Sequence, residues 1–186
     1  IPNEVEFIGL RGNRLLLKDE RLHNILDKNT TLTGINLSNN FVNKDGETNE
    51  DDDEDWELNP SSVDKVLRAL VNNKLKILNL SGLVDNETNL QNRMQIITYC
   101  AGKTWKFTEL YLAGSCLFQS FEGLFKALLA CPITILDVAS SSDYPHDPEQ
   151  FDNKNTITAL YELMKKDSLR YLDISHGYWT REDIIN

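Results

Sequence analysis

The sequence predicts an α/β fold in which six short parallel strands alternate with helices along a repeating chain. The first observation is an apolar phrase, Leu-x-x-Leu-x-Leu with Ile, Val or Phe allowed for Leu, which recurs six times in 186 residues. The second is apolar residues at helical spacing between the phrases. The third is a composition of 40% hydrophobic and 26% charged residues, which permits a substantial core. Internal repetition of this kind predicts a solenoid of stacked units.

Each phrase predicts one strand. Residues two apart on a strand point the same way, so the first, fourth and sixth positions enter the core, while the third, fifth and seventh face out. A strand this short cannot bury its apolar side alone, and stacking into a parallel sheet supplies the missing neighbours. The ninth position carries Asn13 and Asn40 in the first two copies, where the amide can bond loop backbone of adjacent repeats. The phrases begin at Val5, Leu32, Leu75, Phe107, Ile133 and Leu169.

The segments between the phrases predict helices, because their apolar residues recur three or four places apart. One helix on the outer side of each strand would complete each repeat. The apolar residues that carry this pattern are Leu22, Ile25 and Leu26; Val63, Val66, Leu67 and Leu70; Met94, Ile97 and Tyr99; Leu124, Leu128 and Leu129; and Ile157, Leu160, Leu163 and Met164.

The spacing of the phrases predicts one domain over residues 1–186 with surplus residues in two loops. Regular repeats run about 20–29 residues, and the second and fifth repeats are longer by about 15 and about 8. The first phrase lacks a polar cap, and residues 180–186 read as the start of another helix. We therefore expect the chain to be a fragment of a longer protein.

The surplus in the second repeat is an acidic loop insertion at residues 41–58. It holds nine carboxylates and one Lys44, a net charge of −8 within a chain of net charge −10. Contiguous like charges repel and favour an extended loop, so one interpretation is a solvated insertion. The other is an electrostatic attractor for a basic partner, with Trp56 as an aromatic anchor. A calcium loop is not favoured, because the turn glycine is missing and the acids are contiguous.

The six phrases read VEFIGLRGN, LTGINLSNN, LKILNLSGL, FTELYLAGS, ITILDVASS and LRYLDISHG, and they resemble the leucine-rich-repeat family over nearly the whole chain. The helical, long repeats are similar to the ribonuclease-inhibitor-like subclass. The resemblance implies a curved horseshoe, with six short parallel strands on the concave face and helices on the convex face. It also implies a module that binds a protein partner on the concave face.

The outward positions of the phrases predict the binding residues. The fifth positions run from Asn36 and Asn79 through Tyr111 to two acids, and parallel stacking makes those acids neighbours. Tyr and Trp give large contact area, and Asp can pair with Lys or Arg of a partner. The alternative is that the acids only keep this face soluble. The candidate partner-binding residues are Glu109, Tyr111, Asp137, Tyr171, Asp173, His176, Tyr178 and Trp179.

Catalytic motifs are missing from the sequence, so we predict that the chain is not an enzyme. It has no Gly-rich phosphate loop, no G-x-S-x-G and no His-x-x-x-His pair. Asp137 and Asp173 could formally act as an acid/base pair, but an open sheet face offers nothing to exclude water. We expect no cofactor, no metal and no small-molecule substrate.

The net charge predicts the chemistry of the partner, and the cysteine content predicts the cellular compartment. The net charge of −10 argues against nucleic acid or an anionic membrane as the direct partner and favours a basic protein. Cys100, Cys116 and Cys131 are odd in number and unclustered, as expected of reduced thiols in an intracellular protein, cytoplasmic or nuclear.

Three functions compatible with the resemblance remain open. The first is an adaptor or scaffold, such as a substrate receptor of a cullin-type ubiquitin ligase. The second is a GTPase-activating regulator resembling the Ran GTPase activators, which use basic residues at the rim. Arg11 is the one basic residue among the outward positions, and the acidic run lies inside the second repeat, so this match is weaker. The third is an actin-capping module resembling tropomodulin, whose repeats are more regular.

Overall fold

A computed structural model of the chain describes residues 5–13, 24, 26, 28–40, 75–82, 107–114, 121–139 and 153–175. Within these ranges the chain forms an α/β fold with six strands and two helices. The acidic insertion at residues 41–58 and the helices predicted at 63–70 and 94–99 lie outside the described residues. The elements are β1 (Phe7–Gly9), β2 (Gly34–Asn36), β3 (Ile77–Asn79), β4 (Glu109–Tyr111), α1 (Phe121–Leu128), β5 (Ile135–Asp137), α2 (Asn153–Met164) and β6 (Tyr171–Asp173).

The six strands form one open parallel sheet in chain order, from β1 to β6. Every strand covers the third to fifth positions of its phrase, and equivalent positions are register partners across all five strand pairs. The predicted strands and their register are therefore confirmed. The register follows from the apolar pattern, because a slip of one residue would turn the buried side chains outward.

The sheet ladder continues past the ends of β1 to β4 through the sixth and eighth positions. Leu37 N–H donates to the Asn79 carbonyl at 2.8 Å, and Asn39 N–H donates to the Ser81 carbonyl at 3.0 Å. The eighth residue has a left-handed backbone in each of the four repeats where it is described, with φ of 68° at Gly12, 53° at Asn39, 69° at Gly82 and 65° at Gly114. Glycine and asparagine tolerate this conformation best, which explains the residue types found there.

The core lies on the side of the sheet that carries the first, fourth and sixth positions. In β2 to β5 these side chains are at most 3% exposed, and they form one cluster with side chains of both helices. At the two outermost strands the equivalent side chains are only partly buried, including Ile8 on β1 and Leu172 on β6. Burial of the core side chains is therefore most complete at the middle of the sheet.

Helix α1 packs on the sheet through side chains at positions i, i+3, i+4 and i+7. Phe121, Leu124, Phe125 and Leu128 are all buried, and the two phenylalanine rings stack with centroids 5.3 Å apart. The prediction that Leu129 belongs to this helix is wrong, because the helix ends at Leu128. Leu129 follows the helix in a turn and is 38% exposed.

Helix α2 packs beside α1 and buries Thr156, Ala159, Leu160 and Leu163. Its last residue, Met164, belongs to the helix as the apolar spacing predicts, and its side chain is 52% exposed. Residue 164 follows the buried Leu163 directly, which turns it about 100° away around the helix. Among the described residues, neither helix has the length and apolar character needed to cross a bilayer.

The ninth-position asparagine of the second repeat joins two repeats, as predicted. The side chain of Asn40 is 2% exposed, and its Nδ2 donates to the carbonyls of Leu10 at 2.7 Å and Leu37 at 2.9 Å. Its Oδ1 accepts from the backbone N–H of Asn13 at 2.8 Å. Asn13 itself is exposed, and its amide donates only to the nearby Arg11 carbonyl at 3.2 Å.

Candidate functional site

The face of the sheet opposite the core carries the third- and fifth-position side chains, and we call it the outer face. On β4 to β6 the third positions are Glu109, Ile135 and Tyr171, and adjacent ones are register partners. The fifth positions on the same strands are Tyr111, Asp137 and Asp173, again as register partners. Neighbouring strands lie about 4.8 Å apart, so these six side chains form a compact two-by-three array.

Five of the eight residues predicted to bind a partner meet in this array. We call them the acidic–aromatic patch, and they are Glu109, Tyr111, Asp137, Tyr171 and Asp173. The other three, His176, Tyr178 and Trp179, lie outside the described residues. The sixth member of the array, Ile135, was predicted to face outward but was not among the predicted binding residues. It is half-buried at the centre of the patch.

Four fifth-position side chains hold the turn that follows their strand. Oδ1 of Asn36, Asn79 and Asp137 accepts the backbone N–H two residues later at 3.0 Å, and Oδ1 of Asp173 does so at 2.9 Å. This is an Asx turn, which amide and carboxylate oxygens make equally well. The sequence offered the signal, because Asx residues recur at this one position. The role was nevertheless missed in the sequence analysis.

The Asx turn needs an oxygen acceptor but no charge. Asn36 and Asn79 make it with neutral amides on β2 and β3, and Asp137 and Asp173 make it with carboxylates on β5 and β6. The turn therefore accounts for an oxygen at positions 137 and 173, but it does not require a negative charge there. Two like charges on register partners repel and cost stability by themselves.

Two tyrosines in the patch donate hydrogen bonds to carboxylates on their own strands. The Tyr111 hydroxyl donates to Oε2 of Glu109 at 3.0 Å, and the Tyr171 hydroxyl donates to Oδ2 of Asp173 at 3.2 Å. The pairs run in opposite directions, because tyrosine is at the fifth position of β4 and at the third of β6. Each hydrogen bond holds its ring along the strand, on either side of β5.

The negative surroundings oppose ionisation of both phenols. Burial and the hydrogen bond to Glu109, together with the charges of Glu109 and Asp137, raise the pKa of Tyr111 to about 12. The charge of Asp173 and its hydrogen bond raise the pKa of Tyr171. The tyrosines are thus neutral donors at physiological pH, and the charge of the patch comes from its three carboxylates.

The outer face is less polar on the first three strands. Phe7 on β1 is 51% exposed, and its ring covers Gly34 on β2. A Cβ at Gly34 would lie 2.5 Å from Cδ2 of Phe7 and 3.2 Å from Cβ of Ile77, so only glycine fits without a shift. The fifth-position row, predicted to be neutral at Asn36 and Asn79 and acidic at Asp137 and Asp173, therefore lies in one line from β2 to β6.

Two residues at predicted outward positions are buried, Gly34 beneath the Phe7 ring and Ser38 in the turn after β2. Ser38, at the seventh position of the second repeat, is 4% exposed, and its hydroxyl donates to Oδ1 of Asn36 at 2.7 Å. The seventh position lies in the turn after the strand, where the alternation of a strand no longer applies. The equivalent Arg11 and Ser175 are exposed.

The described residues give no sign of a metal centre, since they contain no group of three or more His, Cys, Asp or Glu side chains able to hold an ion. The thiol of Cys131 is buried and lies 3.6 Å from the Ala127 carbonyl. Comparison of the chain with protein-family models, curated protein sequences and solved structures finds no match in any of the three.

Proposed function

We propose that the chain is a protein-interaction module of the leucine-rich-repeat kind, which binds a basic protein partner on the outer face of β4 to β6. In this proposal the sheet lines the concave side of a curved solenoid, and the helices cover its convex side. The in-register stacking of equivalent phrase positions supports the solenoid, because each repeat adds one strand to the same core. The module acts without catalysis, as an adaptor or substrate receptor inside the cell.

The observation that carries the proposal is the pair of carboxylates that Asp137 and Asp173 place on register partners of the outer face. Asparagine makes the same turn on β2 and β3, so the turn itself does not require a carboxylate on β5 or β6. The two carboxylates lie beside Glu109 and two tyrosines, and exposed aromatic rings next to charges are typical of protein-binding hot spots. A basic partner would relieve the repulsion between the paired carboxylates and gain charge-assisted hydrogen bonds.

The test removes the charge and keeps the turn. The double variant Asp137→Asn, Asp173→Asn preserves an Oδ1 acceptor at both positions, so circular dichroism should match the wild type. The matched control, Asn36→Asp with Asn79→Asp, adds two charges at equivalent positions of β2 and β3. Each protein serves as bait for affinity capture from a cell lysate, with quantitative mass spectrometry of the captured proteins.

We expect partners that are lost from the Asp→Asn double variant and retained by the control. Partners retained equally by both variants would contradict binding on this patch and direct attention to the acidic insertion at residues 41–58. Ubiquitin-ligase subunits among the lost partners would favour the receptor role. A GTPase whose hydrolysis the chain stimulates, or actin whose filament-end kinetics it alters, would favour the alternatives.

A further inference from the structure

At the centre of the acidic–aromatic patch, the outer-face side chains of β5 lie between the two tyrosines of the neighbouring strands, and we call this place the slot. Its floor is the half-buried side chain of Ile135, and its end is the carboxylate of Asp137. Its walls are the side chains of Tyr111 on β4 and Tyr171 on β6, each one strand away. Both hydroxyls bind carboxylates on their own strands, so both rings are held beside β5.

The carboxylate of Asp137 at the end of the slot uses one oxygen for the turn. Oδ1 of Asp137 accepts the Ala139 N–H at 3.0 Å. The hydroxyls of Tyr111 and Tyr171 on the neighbouring strands donate to Glu109 and Asp173. In the part of the chain that the structure describes, no hydrogen bond reaches Oδ2 of Asp137. A half-buried carboxylate oxygen of this kind favours a ligand that brings a cationic N–H donor.

The dimensions and chemistry of the slot fit arginine better than lysine. The strands of the two tyrosines are separated by two strand steps, which is roughly 10 Å. A planar guanidinium between two rings needs contacts of about 3.5–4.0 Å on each face, so it fits within that width. Guanidinium stacks on aromatic faces while its edge donates to a carboxylate, and the aliphatic stem packs on an apolar floor. A lysine ammonium is a compact point charge and gains less from parallel walls.

We propose that the slot formed by Tyr111, Ile135, Asp137 and Tyr171 binds an arginine side chain of the partner protein, with the guanidinium between the rings and its N–H groups on Oδ2 of Asp137. This inference rests on the proposed function and specifies the partner chemistry at the same surface. The stem of the arginine lies over Ile135, and the segment that carries it crosses the outer face above β5.

The experiment titrates the isotope-labelled chain with three small probes and follows backbone amides by NMR. The probes are the N-acetyl, N-methylamide derivatives of arginine, lysine and citrulline, the last being the neutral isostere of arginine. We expect saturable shifts of the Asp137 and Ala139 amides with the arginine probe, at least threefold weaker binding of lysine, and none of citrulline. Asp137→Asn should weaken arginine binding by about tenfold, or about 1.4 kcal/mol. Asn79→Asp, the control charge change, should leave it within twofold.

A second experiment tests the contribution of the aromatic rings by substitution of Tyr171. This residue is 52% exposed and can be replaced with little risk to folding. Tyr171→Phe keeps the ring and should keep the preference for arginine over lysine, whereas Tyr171→Leu should remove it. Equal binding of lysine and arginine by the wild type, or binding of citrulline, would overturn the inference. So would arginine shifts that are unchanged by Asp137→Asn.

The two proposals fail in different ways. If a captured partner depends on Asp137 and Asp173 but the arginine probe causes no shift, the arginine slot is wrong and the interaction surface stands. If the probe binds in the slot but no captured partner responds to the charge-removing variant, the slot stands as a cation site and the proposed function is wrong.

Discussion

Replacement of Asn40 by alanine removes the side chain that joins the first two repeats. Asn40 is 2% exposed, and its amide group bonds the Leu10 carbonyl at 2.7 Å, the Leu37 carbonyl at 2.9 Å and the Asn13 N–H at 2.8 Å, with a longer bond to the Ser38 carbonyl at 3.4 Å. Alanine supplies neither donor nor acceptor. The carbonyls of Leu10 and Leu37 and the N–H of Asn13 would all lose this partner in the variant.

The expected cost follows from the number of hydrogen bonds and from their burial. A hydrogen bond contributes about 1 kcal/mol net, and a buried polar group left without a partner costs about 1–3 kcal/mol. The bonds to Asn13 and Leu10 are partly exposed, so water can replace part of the loss there. We therefore expect Asn40→Ala to lower the free energy of unfolding by about 2–4 kcal/mol. For a chain of this length that is a fall in Tm of roughly 4–16 °C.

Asn13→Ala is the matched control, because Asn13 holds the same ninth position one repeat earlier. Its side chain is exposed and donates only to the Arg11 carbonyl, at 3.2 Å. We expect a change of about 0.5 kcal/mol or less. Urea unfolding followed by circular dichroism measures both variants. Equal stability losses, or a loss below about 0.5 kcal/mol for Asn40→Ala, would refute the reasoning that this amide is a structural link between repeats.

Gly82→Ala should destabilise the chain more than Gly12→Ala in urea unfolding: both have positive φ, but an added Cβ would touch another side chain only at Gly82. Similar losses would contradict this. Leu78→Ala at the middle of the sheet should cost about 2–5 kcal/mol by calorimetry, and Leu172→Ala on β6 clearly less. The pKa of Tyr111, raised from 10.0 to about 12, contributes stability that is present below pH 10 and lost as pH rises through 12. Absorbance titration of the phenolate should show the late step, and its appearance near pH 10 would disprove the shift.

The strands and their register could be predicted from the sequence because both depend on a local pattern. Apolar residues at the first, fourth and sixth positions must be buried together, and a slip by one residue would expose them. Six copies of the pattern then specify a parallel sheet in chain order. The same pattern predicts that Tyr111, Asp137 and Asp173 lie in one line across the sheet.

Boundaries and turns could not be predicted in the same way. Leu129 and Met164 match the apolar spacing of the helices. Helix α1 nevertheless ends before Leu129, and the side chain of Met164 at the end of α2 is exposed to solvent. Ser38 fits the alternation of an extended strand, but the chain has already entered a turn there. Spacing predicts a face only while the backbone keeps one period, and the point at which it stops depends on tertiary packing.

The sequence alone determined the repeat, the α/β class, the parallel order and the acidic character of the last strands, since each follows from residue types at fixed intervals. Only the tertiary structure decided what the polar side chains do. It showed that Asp137 and Asp173 each commit one oxygen to a turn, and that Tyr111 and Tyr171 bind carboxylates on their own strands. Whether a donor and an acceptor form a hydrogen bond depends on differences of a few tenths of an ångström in their separation. Residue spacing in a sequence does not specify positions to that precision.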